Sequence, residues 1–354
     1  MRKRGRLLKI ILIVVGVLAV VFVAASFALI NHYMKQYFNR SEKKKYSEYM
    51  RWEDYEDLDR ETVTFPSGKE TLTGYIYGKD NLSKGLVVIS HGLGSDSEGY
   101  IAETKYFVDS GFMVFAYDNT GSGASTGESC IGLVQSVIDL DSALDYVEQN
   151  PVFGGLPICL YGHSWGGFAT TAILNYDHDI IAVASLAGYN DSLEEMTYVG
   201  KSLLGSFVYV EKPFIWLTLR ATFGDQMNLT ATNGINRAKH TAVMIIQGDL
   251  DDFVGFDGPC ISANRDKVTR DDVEFVLLEG RDHNNLMMDR SPERLAYMEA
   301  LNEEYDHILE QYQDEVPDEV KKEWSETIDK ELTSRLDEEL FERIVDFYME
   351  AIGK

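Results

Sequence analysis

The chain is short of positive charge and of cysteine, and each shortage excludes a class of function. Its 354 residues carry 33 Lys and Arg against 58 Asp and Glu, a net charge of -25. A nucleic-acid surface needs clustered cations to displace the counterions of the phosphate backbone, and no basic face exists outside the N-terminus. The three cysteines, Cys130, Cys159 and Cys260, are too few and too scattered for a disulfide scaffold. No C-x-x-C spacing suggests zinc or thiol redox chemistry. There is no phosphate-binding loop of the G-x-x-x-x-G-K type, no G-x-G-x-x-G fingerprint, no internal repeat and no low-complexity tract. No metal, nucleotide or flavin cofactor is therefore expected.

What is present begins with a long apolar run. After the basic flank at residues 1–9, "MRKRGRLLK", residues Ile10 to Ile30 carry no charge. About 21 residues at ~1.5 Å each span ~31 Å, one bilayer core. A cleaved signal peptide usually has a shorter apolar region, although Ser26-Phe27-Ala28 would serve as a small-residue cleavage site. A globular core helix is rarely apolar on every face. Residues 10–30 therefore read as an uncleaved, single-pass transmembrane helix. Arg2, Lys3, Arg4, Arg6 and Lys9 precede the span, and Lys35, Arg40, Lys43, Lys44 and Lys45 follow it, so the flanks are nearly balanced. The orientation read is that of a signal anchor, with a cytoplasmic N-terminus and the large domain extracytoplasmic.

Residues 31–60 are charged and tyrosine-rich, with a helical look, and read as a solvated juxtamembrane linker. From residue 61 to 354 the pattern is that of one α/β domain. "ETVTFPSGKETLTGYIYG" reads as two strands about the turn "PSGK". "GLVVIS", "FMVFAY", "PICLYG", "IIAVASLA", "AVMIIQG" and "VEFVLLEG" are short apolar runs of buried-strand type, and helical segments alternate with them. In one such segment Val134, Val137, Ile138, Leu144 and Val147 share a helical face, which Asn150-Pro151 ends. The alternation specifies a mostly parallel central sheet with helices on both faces.

Two regions break the rhythm. Residues 188–240 form an insertion too long for a connection, and its aromatic and aliphatic stretch from Ser202 to Phe223 reads as a helical cap over an apolar pocket. Residues 291–354 form an acidic helical extension in two pieces divided at Pro317. In its last helix Phe341, Ile344, Val345, Tyr348 and Ile352 are spaced to dock on the sheet.

The chemistry centres on "YGHSWGGF". Gly162-His163-Ser164-Trp165-Gly166 fits G-x-S-x-G between a strand and a helix, where a tight turn leaves no room for side chains at the glycines and lifts a serine to a helix N-terminus. A serine hydroxyl needs a base, and the base needs an orienting acid. The strand "AVMIIQG" leads into "DLDDFV", whose G-x-x-D-x-x-V pattern singles out Asp251, with Asp249 and Asp252 as rivals. His283 alone among seven histidines follows the last strand, in a G-x-x-H loop. His91 and His163 flank other parts of the site and read as backbone-positioning groups.

The order Ser164, Asp251, His283 resembles the α/β-hydrolase superfamily, within it the serine hydrolases that include monoglyceride lipases, lysophospholipases, feruloyl-type esterases and serine aminopeptidase-like members. The resemblance runs from about Thr62 to Asn285 plus the final helix. "ISHGLGSDS" resembles the family's His-Gly loop, which implies that the backbone N–H groups of Leu93 and Trp165 form the oxyanion hole. "YDNTGSGASTGES" resembles the D-x-R-G-x-G-x-S loop, with Thr120 in the arginine's place. An aspartate nucleophile, as in haloalkane and epoxide hydrolases of this fold, is absent from the elbow.

The implied activity is hydrolysis of a carboxylic ester, acyl or lipid-like, through an acyl-enzyme. Two alternatives remain: an amide or peptide hydrolase on the same machinery, and a non-catalytic membrane-tethered binding protein. The amide reading would need an acidic group for a substrate amine; Glu194, Glu195 and Glu211 are candidates, and surface charge is the simplest account of all three.

Overall fold

A computed structural model describes residues 2–43, 45–79 and 83–354, so Met1 and Lys44 of the basic flanks lie outside the described residues. The chain opens with α1 (Arg2–Tyr37), a continuous helix of 36 residues. Its apolar side chains are exposed from Leu7 through most of the run to Phe27. It is long and apolar enough to cross a membrane.

Beyond Tyr37 the helical, solvated linker expected at residues 31–60 is not what forms. The chain leaves α1, runs without regular structure apart from one turn at Trp52–Asp54, and lies against the domain. Its backbone bonds explain the difference: Ser41 N donates to Gly121 O at 2.8 Å, Gly123 N donates to Ser41 O at 3.0 Å, and Cys130 N donates to Phe38 O at 2.9 Å. Groups that a helix would have satisfied internally are satisfied instead by a loop of the domain.

The domain proper starts with the hairpin β1 (Arg60–Ser67) and β2 (Glu70–Tyr77). Pro66 and Ser67 stay in β1, so the turn is confined to Gly68 and Lys69. The proline is tolerated because β1 is the sheet's edge strand. Then follow β3 (Leu86–Ser90), α2 (Ile101–Asp109), β4 (Met113–Tyr117), α3 (Gln135–Gln149), β5 (Ile158–His163), α4 (Trp165–Ala172) and β6 (Ile180–Leu186). The insertion supplies α5 (Ser192–Leu204), α6 (Val208–Phe223) and α7 (Ala231–Arg237) before β7 (Ala242–Gly248) and β8 (Glu274–Leu278). The tail forms α8 (Pro292–Tyr312), α9 (Asp318–Glu326), α10 (Lys330–Thr333) and α11 (Glu338–Ile352).

The eight strands lie in the order β1-β2-β4-β3-β5-β6-β7-β8. β3 to β8 are parallel and the hairpin joins β4 antiparallel. Every residue of β3 and β4 is buried, as strands covered on both faces require. One core packs the inner face of α3 (Val137, Leu144, Val147) and α4 on the sheet, and the other packs α2 and α11 on the opposite face. The final helix buries Phe341, Ile344 and Tyr348 while Val345 and Ile352 stay half-buried, and Tyr348 Oη donates to Leu160 O at 2.7 Å.

From β3 the chain passes outward to β4, then returns to β5 on the other side of β3. That reversal opens a crevice at the carboxyl ends of β3 and β5, the place where such sheets bind ligands.

Candidate active site

Ser164 sits in that crevice between β5 and α4, with φ 57° and ψ -114°. A positive φ at a non-glycine residue is strained and must be held by its surroundings. The glycines permit it: a Cβ at Gly166 would lie 1.8 Å from Ser90 O, and one at Gly162 would lie 2.3 Å from Gly166 O. Ser164 N donates to Leu186 O at 2.8 Å, and the indole Nε1 of Trp165 donates to Leu133 O at 2.7 Å, fixing both ends of the turn.

Asp251 and His283 meet this serine. His283 Nε2 lies 2.9 Å from Ser164 Oγ, and His283 Nδ1 lies 2.9 Å from Asp251 Oδ2. Asp251 Oδ1 accepts from Phe253 N and Val254 N at 3.1 Å each, and Oδ2 also accepts from Gln247 Nε2 at 2.8 Å. Burial pushes the Asp251 pKa up, but the hydrogen bond and charge of His283, with the Val254 and Gln247 donors, outweigh it and hold the carboxyl below its ordinary value. The rivals are engaged elsewhere. Asp249 Oδ1 accepts from Gly280 N at 2.6 Å, and Asp252 is exposed. Phe253 stacks on the His283 ring at 4.8 Å between centroids, limiting its rotation.

His163, read from sequence as a positioning group, spends both ring nitrogens on groups other than Ser164 Oγ. Its Nε2 donates to the carbonyl of His283 at 2.9 Å, which leaves Nδ1 to accept from Tyr100 Oη at 3.0 Å, and that hydroxyl in turn accepts from Gly92 N at 2.9 Å. One chain of bonds thus ties the His-Gly loop to the backbone of His283. Burial, then the proximity of His283, lowers the His163 pKa from 6.5 to about 3. The unfolded chain takes up a proton below pH 6.5 that the folded chain refuses until about pH 3, so stability present above 6.5 is lost as the pH falls through that window. The excess loss is about 1.4 kcal/mol per pH unit. Urea unfolding of wild type and His163→Gln at several pH values between 7 and 4 measures it as the difference of slopes; parallel curves would exclude the buried neutral imidazole.

His91 also positions backbone: its Nδ1 donates to Gly92 O at 2.8 Å and its Nε2 accepts from Asn119 N at 2.9 Å. Leu93 and Ser164 line one cavity of about 670 Å³, with Tyr100, Phe253, His283 and Met287. Trp165 is the first residue of α4, so its N–H has no carbonyl one turn earlier to bond. Ser41 to Lys43 and Ser47 to Arg51, from the segment that follows α1, form another wall of this cavity, a role no sequence signal announced.

The same segment accounts for Thr120. Arg40 donates to three carbonyls of the glycine-rich loop, those of Gly123 at 2.7 Å, Ser125 at 2.9 Å and Gly127 at 2.8 Å. Thr120 turns inward, its N and Oγ1 donating to Asp139 at 2.8 and 2.9 Å. A guanidinium from outside the domain thus holds the loop that contains Thr120.

Two of the three cap acids are not surface charges. Glu194 is exposed and pairs with Lys212 at 2.6 Å, but Glu195 and Glu211 are 3% and 1% exposed, each with one oxygen lacking a hydrogen-bond partner. They lie on the faces of α5 and α6 turned toward α1 and line a separate cavity of about 250 Å³. That packing depends on α1 and leaves no mark in the local sequence of the cap. Neither lines the cavity that holds Ser164. Asp145, Glu148 and His178 could together ligate a cation at the surface, but His178 is already held between Asp141 at 2.8 Å and Glu148 at 2.9 Å.

A doubly wound sheet with a serine on a strand-to-helix turn at its crevice is the α/β-hydrolase architecture, and parts of the chain are similar to known proteins. Residues 82–208 match the family described as serine aminopeptidase, S33. The chain is 33% identical over 84 residues to human monoglyceride lipase, covering 24% of this chain and 28% of that protein. It is 27% identical over 140 residues to the polyketide transferase af380 of Aspergillus fumigatus, covering 38% and 48%. The chain thus spans less than half the length of these relatives. An esterase of Pyrococcus furiosus superposes with a TM-score of 0.50 at 16% identity, over 72% of this chain and 91% of that one. The chain thus has the α/β-hydrolase fold.

Proposed function

We propose that the chain is a membrane-anchored serine hydrolase that cleaves carboxylic esters carrying an acyl or lipid-like group. The observation that carries this reading is the run of two 2.9 Å contacts from Ser164 through His283 to Asp251, at the floor of a cavity large enough for a small acyl ester. In the proposed reaction Ser164 Oγ attacks the ester carbonyl as His283 Nε2 takes its proton. The N–H groups of Leu93 and Trp165 receive the oxyanion, and Asp251 stabilises the imidazolium. His283 then protonates the leaving alkoxide, and water, deprotonated by His283, releases the acid from the acyl-enzyme.

The name of the human relative favours an ester of an acyl glycerol. The amide reading has lost support, since the buried cap acids lie outside the Ser164 cavity. An uncleaved anchor is favoured by the packing of Ser26 and Ile30 on the cap, which cleavage after Ala28 would disrupt. We place the N-terminus in the cytoplasm and the catalytic domain outside.

The test is a series of p-nitrophenyl esters of increasing chain length beside aminoacyl p-nitroanilides. Ester turnover with the anilides left intact is expected. Faster cleavage of the anilides would replace the esterase reading with the peptidase one.

A further inference from the structure

The relation between α1 and the cap fixes more than an attachment. Phe22 and Phe27 of α1 meet Phe214 of α6 edge-on, at 5.8 and 5.4 Å between ring centroids. Ser26 Oγ donates to Glu211 Oε1 at 3.1 Å, and Ile30 packs in one cluster with Val208, Ile215 and Leu219. The cap therefore touches α1 from Phe22 to Ile30, roughly 12 Å of helix.

That zone lies within the apolar run. Counting from Lys9, the last charge before the run, Phe22 is roughly 20 Å along the helix, while the hydrocarbon core is about 30 Å thick. A span that starts after Lys9 cannot end before it reaches the cap. Tilting α1 only moves the end of the span further along the helix, deeper into the contact.

The cap is surfaced accordingly. Leu203, Phe207, Tyr209, Val210, Trp216 and Leu217 are each between 42% and 57% exposed. From Leu203 to Leu217 the only charged residues are Glu211, which is buried, and Lys212, which is paired with Glu194. Six large apolar side chains left in water beside a transmembrane helix would form a patch that soluble surfaces avoid.

We infer that the cap is sunk into the same bilayer leaflet that α1 enters, with Leu203, Phe207, Tyr209, Val210, Trp216 and Leu217 in contact with lipid. The inference rests on α1 being a membrane anchor. It places the catalytic domain flush with the membrane, with the cap at lipid depth beside the site. The Ser26–Glu211 hydrogen bond then satisfies the Ser26 hydroxyl and one of the two Glu211 carboxyl oxygens at that depth.

The test uses the full chain in phosphatidylcholine nanodiscs, with ordinary or acyl-dibrominated lipid. Bromine quenches only fluorophores close to it, so wild type should lose an emission component that Trp216→Phe does not lose. A second reading uses Leu217→Cys carrying a nitroxide, selective because Cys130, Cys159 and Cys260 are all buried. Collision with oxygen should exceed collision with a water-soluble nickel chelate. Protein seated in the discs with equal quenching in wild type and Trp216→Phe, or a nitroxide favouring nickel, overturns the inference and leaves the anchor standing. Protein that fails to migrate with the discs sinks the anchor and the inference together.

Discussion

Ser164→Ala is expected to lower kcat for an ester substrate by about 10⁵ to 10⁶ and to abolish labelling by a fluorophosphonate. Only one oxygen is removed. The turn is held by Ser164 N to Leu186 O and by Phe168 N to Ser164 O, both backbone bonds that alanine keeps. Thermal unfolding should therefore stay close to wild type, which separates loss of a nucleophile from loss of a fold. Residual turnover is expected to exceed that in water, because the N–H groups around the oxyanion and the cavity remain. Wild type and Ser164→Ala labelled to the same extent would end the assignment of this serine as nucleophile.

Asp251→Asn is expected to cost about 10⁴ in kcat, while Asp249→Asn and Asp252→Asn stay within about an order of magnitude of wild type. The geometry dictates the sense of the defect. Phe253 N and Val254 N both donate to one oxygen of Asp251, so asparagine must keep its carbonyl oxygen there. Its NH₂ then takes the place of Oδ2, facing Gln247 Nε2 and His283 Nδ1. A donor in that position forces the proton of His283 onto Nε2, where it points at Ser164 instead of receiving from it. The measurement is kcat for the three variants against pH. Full activity in Asp251→Asn with collapse in either rival would transfer the role of acid.

The parts of this site that could be read in the sequence share one property: each depends on neighbours within a few residues. G-x-S-x-G around Ser164 is legible because the turn itself excludes side chains at Gly162 and Gly166. Asp251 and His283 are legible because each follows a strand whose apolar run marks where the sheet ends. The parts that were not legible come from residues distant in sequence. Arg40 carries no motif, and its three carbonyl partners lie more than eighty positions further on. Glu195 and Glu211 look like surface charge until α1 covers them.

By itself the sequence determined the alternating strands and helices, the order of serine, acid and base, and an apolar run of membrane length. These follow from local periodicity, turn chemistry and the burial that each strand requires. Only the tertiary structure decided that Ser41 to Lys43 and Ser47 to Arg51 wall the Ser164 cavity, that Arg40 holds the loop of Thr120, and that the cap packs on the second half of the apolar run, from Phe22 to Ile30. Those contacts join segments whose pairing no local pattern encodes, because their free energy comes from surfaces that exist only once the sheet has formed.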